Sequence, residues 1–197
     1  MLGYILLAYL LIYFAVAFVL PSYRVWTRTN VNPVTFHGAD NAHDYIGKLF
    51  KIVMACLTAV VIAHAFAPDI YSFLLPITWL ENPTTQLVGI LLLILSLGWT
   101  VLAQIQMGNS WRIGIDEKKE TALVQSGLFR LSRNPIFLGM QITLLGFFLA
   151  VPNALTLLIF VLGFVLIQIQ VRLEEEFLGK IHGAEYEEFR RRVRRWV

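Results

Sequence analysis

The chain is poor in charge: Asp, Glu, Lys and Arg supply 15% of its 197 residues, against 57% hydrophobic residues. So few charges cannot coat a water-soluble domain of this size. With a mean hydropathy of +0.67, the composition identifies an integral membrane protein. Cysteine is nearly absent. Cys56 stands alone inside an apolar run, which excludes an intrachain disulfide and a cysteine-rich zinc knuckle. No Gly-x-Gly-x-x-Gly follows a strand pattern, so the soluble dinucleotide-type fold is excluded as a binding device. Basic residues are missing from two stretches, 67–85 and 151–154, and their absence sets the topology.

Five apolar stretches approach the roughly 20 residues that a membrane span needs: 2–20, 46–66, 86–106, 136–151 and 155–171. Pro152 and Asn153 alone separate the last two, which predicts an antiparallel helical hairpin with a tight turn at the far membrane face. The first stretch has no basic segment before it and no small-residue cleavage pattern, so it is expected to be a retained span. All 16 Lys and Arg fall within 24–51, 112–133 and 172–195. By the positive-inside rule those regions are cytoplasmic and the N-terminus is outside. A net charge of +3 therefore speaks to anionic headgroups of membrane lipids, and no nucleic-acid partner is expected. The fold class that follows is an all-α integral membrane protein, one domain over 1–197, with five transmembrane helices, a C-terminal helical hairpin and an amphipathic cytoplasmic tail over 172–197.

Residues 23–45 are polar and punctuated by turn formers, so they are expected to be an irregular interfacial loop. His37 and His43 lie in it six apart without a third ligand, a poor metal site, and no metal is expected. Trp111-Arg112 suits an interface anchor, and the mixed-sign run 116–120 a solvated loop. Residues 123–129 alternate loosely up to Gly127, which predicts a short extended piece folded over the membrane face, suited to lidding a pocket. In the tail, Leu173, Phe177, Leu178, Ile181, Tyr186, Phe189, Val193 and Trp196 recur at three- and four-residue steps. They predict an amphipathic surface helix, interrupted at His182-Gly183.

Arg133-Asn134-Pro135 opens the fourth apolar stretch, and Glu174-Glu175-Glu176 follows the fifth, so the hairpin gathers them at one membrane face. Pro135 suits the first turn of a helix, with Asn134 as its N-cap. The positive end of that helix, with Arg133 beside it, favours a carboxylate or phosphate. Gly139 and Gly146 share a face that allows close helix approach or leaves room for a ligand. Three glutamates beside anionic headgroups require cations, for which Arg133, Arg172 or a cationic ligand are the candidates. Taken singly, each of these residues also has an ordinary structural explanation.

Taken together, Arg133, Asn134, Pro135, Phe137 and Gly139, then Glu174, Glu175 and Leu178, then His182-Gly183-Ala184-Glu185-Tyr186, resemble the signature of the isoprenylcysteine carboxyl methyltransferase-like membrane methyltransferases. The resemblance covers the C-terminal half. Asn134 stands where that family more often has His, and His182 where it more often has Phe. The resemblance implies an S-adenosylmethionine-dependent methyltransferase acting on a lipophilic small-molecule or lipidated acceptor at the cytoplasmic face. It implies Arg133 and Glu175 as catalytic residues, and a cofactor site of Arg133, Asn134, Pro135, Phe137, Gly139, Glu174, Glu175, His182 and Tyr186. Carboxylates suit the ribose diol and ammonium of that cofactor, Arg133 its carboxylate, and the aromatic faces of Phe137 or Tyr186 its sulfonium. Alternative expectations are a phospholipid N-methyltransferase, a membrane reductase using a nicotinamide cofactor, and a non-catalytic protein of the same fold.

Overall fold

The computed structural model describes residues 1–30, 41–111 and 122–197. His37, Arg112 and the 116–120 charge run lie outside the described residues. Among those described, all named elements are helical. Helix α1 (Leu2–Phe14) runs through a π-helical segment (Ala15–Val19) into α2 (Leu20–Thr29). Then come α3 (Ala42–Phe66), α4 (Pro68–Ser72), α5 (Pro83–Met107), α6 (Pro135–Ala150), α7 (Ala154–His182) and α8 (Ala184–Arg192). Among the described residues, four helices are long and apolar enough to cross a membrane: Leu2–Thr29, α3, α5 and α7; α6 is apolar but shorter. The chain is a multi-pass membrane protein.

The first span differs from its expected end at residue 20, because Pro21 does not stop the helix. Proline has no N–H, so the carbonyl of Ala17 loses its helical donor. The chain absorbs this with a π-turn, in which the Leu20 N–H reaches back five residues to the Ala15 carbonyl. The side chain of Gln104 on α5 supplies the missing donor, its Nε2 lying 2.7 Å from the Ala17 oxygen. Residues 23–29 are therefore helical where an irregular loop was expected, as are 42–45, and only at Asn30, with φ 52°, does the first helix close. Gln104→Leu is expected to leave that carbonyl buried and unpaired, lowering stability by about 1–3 kcal/mol. Denaturant titration in detergent, followed by intrinsic fluorescence, measures it.

The hairpin forms as the sequence predicts, with α6 and α7 joined through 151–153. Asn153 caps α7 by accepting from the Thr156 N–H at 2.9 Å, while the Thr156 hydroxyl accepts from the Asn153 N–H at 3.0 Å. The 67–85 connection braces this turn: the Ile77 N–H donates to the Pro152 carbonyl at 2.9 Å. The backbone of Gly89 on α5 approaches α6 so closely that an added Cβ would stand 2.6 Å from the Ala150 nitrogen. Between apolar helices in lipid, contact depends on such close packing and on a few polar bridges. One bridge joins Ser96 and Thr143 at 2.9 Å. Another joins α3 to α7, where the His43 ring meets the Gln170 amide at 3.2 Å.

Candidate functional site

The site is assembled at one end of the hairpin by three pieces of chain. Pro135 opens α6, where its missing N–H costs nothing, and its carbonyl accepts from the Trp99 indole at 2.8 Å. Helix α7 passes beside it and carries Glu174 and Glu175 beyond its apolar stretch. Gly183 then breaks the chain with φ 52° and ψ −122°, a conformation suited to glycine, and α8 turns away. After α8 the last residues fold back onto the start of α6: the Arg133 N–H donates to the Arg194 carbonyl at 2.9 Å and the Ser132 hydroxyl to the Arg195 carbonyl at 3.0 Å.

Glu175 is the hub of this arrangement. Only 7% exposed, its carboxylate accepts from Arg133 Nη2 at 3.0 Å, from Asn134 Nδ2 at 2.9 Å and from Arg195 Nη2 at 2.8 Å. Arg133 also donates through Nη1 to the carbonyl of Val193 at 2.6 Å and that of Arg190 at 3.2 Å. One buried anion thus joins α6, α7 and the C-terminal segment, with two cations and an amide saturating both of its oxygens. Asn134 occupies the N-cap position of α6, but its side chain makes no capping bond and serves Glu175 instead.

Glu174 is placed quite differently. It is half-buried and makes no hydrogen bond or ion pair with any described residue. Glu176 faces outward and pairs with Lys180 at 2.7 Å. Three consecutive carboxylates therefore have three fates: one open, one saturated, one solvated.

Tyr186 on α8 is 1% exposed, and its hydroxyl has no hydrogen-bond partner among the described residues. Burial, then the charge of Glu175, pushes its pKa up to about 12, so the hydroxyl keeps its proton at physiological pH. The ring packs with Phe129, Phe189, Leu123 and Val124. Of residues 123–129, expected as a short extended piece, 123–125 have no regular secondary structure and Gly127–Arg130 is a turn of 3-10 helix. Residues 123–125 lie against α8, where Gln125 bridges Glu185 at 2.8 Å and Arg192 at 2.7 Å.

Of the other candidates, Phe137 packs half-buried against the main core, and His182 is the half-buried last residue of α7. Gly139 sits against Thr100 and Trp99 of α5, and Gly146 against Gly89 and Leu93, so both glycines serve helix packing. Arg172, offered as a partner for the acids, bonds back to Gln168 on its own helix at 2.6 Å. The cation that takes its place is Arg195. Sequence reasoning missed it because its arrival depends on the break at Gly183 and the fold-back after α8; its only mark was the basic, aromatic end of the chain.

Residues 84–185 match the family described as phospholipid methyltransferase. The chain is also 29% identical over 171 residues to the protein-S-isoprenylcysteine O-methyltransferase of Saccharomyces cerevisiae, a match covering 82% of this chain and 68% of the yeast protein. No solved structure matches it.

Proposed function

The chain belongs to the phospholipid methyltransferase family, and from that premise we propose that it transfers a methyl group from S-adenosylmethionine to a lipophilic or lipidated acceptor at the cytoplasmic membrane face. The observation that carries this reading is the contrast between two neighbouring glutamates. Glu175 is consumed in holding the hairpin and the C-terminal segment together, while the carboxylate of Glu174 beside it has no partner among the described residues. A half-buried unpaired carboxylate and a buried unpaired hydroxyl, that of Tyr186, fit a ligand rich in hydroxyl and ammonium donors. The cofactor supplies an activated methyl group on a sulfonium sulfur.

In this reading Arg133, Asn134 and Glu175 act by position: they fix the start of α6 relative to α7 and α8. Glu174, His182 and Tyr186 contact the cofactor. Pro135, Phe137 and Gly139 set the packing of α6 beneath it. With α6 as a short fifth crossing, the N-terminus is outside and the site faces the cytoplasm, as the distribution of bases favours. A carboxylate acceptor attacks without a base, so the protein has only to align it and exclude water. An amine acceptor must arrive neutral.

The similarity to the yeast enzyme favours a carboxyl acceptor, and the family's description favours a phospholipid amine. Purified protein is therefore offered methyl-labelled S-adenosylmethionine with either a prenylated cysteine or phosphatidylethanolamine. Label released by mild base is an ester and selects the carboxyl acceptor; base-stable label in the lipid selects the amine. Folded protein that neither binds the cofactor nor labels either acceptor sinks the proposal.

A further inference from the structure

A crevice lies between the π-turn of the first span and α5, with Gln104 among its lining residues. It is small, about 60 Å³, and open to the surroundings, between the junction of α1 and α2 and the end of α5. Val16 and Leu20 line it from the first span and Val101 and Ile105 from α5, with Arg24 and Trp111 also in the lining. Such π-turns recur at functional sites, because the displaced turn opens space that a regular helix would fill.

Arg24 is exposed, and its guanidinium makes no hydrogen bond or ion pair with any described residue. Arg28 follows it by four residues on the same helix and likewise carries no ion pair, so two cations share one face of α2. The apolar walls run along the spans, and the charge stands one helical turn beyond Leu20. A ligand matching this layout carries an anionic group directly attached to a long apolar chain. In a bilayer that description fits a phospholipid, whose phosphodiester lies at the interface where charged side chains such as Arg24 reside.

We propose that this crevice is a binding site for one bilayer phospholipid, with its phosphate on Arg24 and an acyl chain along Val16, Leu20, Val101 and Ile105. The site is separate from the Glu174 and Glu175 constellation and does not depend on methyl transfer. It gives the interrupted first helix a purpose: the π-turn makes room, Gln104 stabilises the turn, and the lipid fills the space.

Native mass spectrometry of the detergent-purified full chain, titrated with phosphatidylglycerol, tests the proposal. Wild-type protein is expected to retain one tightly bound lipid, and Arg24→Gln to bind it about fivefold more weakly, the loss expected for one interfacial cation. Arg24→Lys keeps most of the affinity. Val101→Trp fills the crevice without touching the arginine and is expected to abolish the tight site, so it decides the case if Arg24→Gln does not fold. Equal binding by wild type and by folded Val101→Trp overturns the proposal. So does displacement of the lipid by a prenylated cysteine at lower concentration than phosphatidylglycerol requires, an outcome that makes the crevice an acceptor site instead.

Discussion

Glu175→Gln is expected to abolish methyl transfer and to lower stability by about 3 kcal/mol, because it removes the anion from a buried ion cluster and leaves two cations behind. Arg133, whose side chain is 8% exposed, cannot turn to water for compensation, whereas Arg195, at 33%, is only partly shielded. Most of the penalty therefore falls on Arg133. Its remaining bonds to the Val193 and Arg190 carbonyls tie the C-terminal segment to α6, so that segment is expected to loosen as well. A double-mutant cycle separates a positioning role from loss of a ligand contact. Arg195→Gln added to Glu175→Gln is expected to cost less than the sum of the two single changes, with a coupling of about 1–3 kcal/mol. Additive losses would show that the two side chains do not act as a unit. Unchanged stability with lost activity would place Glu175 on the ligand instead.

The parts of this architecture that were legible in the sequence are those fixed by local rules. Pro135 starts a helix because its missing N–H is tolerated only in the first turn. Asn153 ends the hairpin turn because a short polar side chain caps the helix that follows. Gly183 breaks the tail because it adopts a positive φ. What was not legible depends on distant partners. Pro21 looks like the end of a span until Gln104, 83 residues later, supplies the donor that its ring removes. Arg172 is the cation nearest the glutamates in sequence, yet its guanidinium bonds to Gln168, and Arg195 arrives only because two helix ends redirect the chain. Likewise the three adjacent glutamates read alike, since their different environments arise from a 100° rotation per residue about α7.

That rotation makes Glu174→Gln the most informative single change. Because the Glu174 side chain makes no hydrogen bond or ion pair with any described residue, the substitution orphans no described partner, so the unfolding free energy is expected to stay within about 0.5 kcal/mol of wild type. Affinity for S-adenosylmethionine, by contrast, is expected to fall tenfold or more, because a charge-assisted hydrogen bond in a half-buried site is worth about 1.5–3 kcal/mol. Calorimetric titration of the detergent-purified protein reads the affinity, and thermal unfolding of the same sample reads the stability. The pair of results divides the two acids: Glu175 moves both readouts, and Glu174 moves binding alone. Cofactor affinity that survives Glu174→Gln intact would remove this carboxylate from the site and return the cofactor contact to Arg133 and the start of α6.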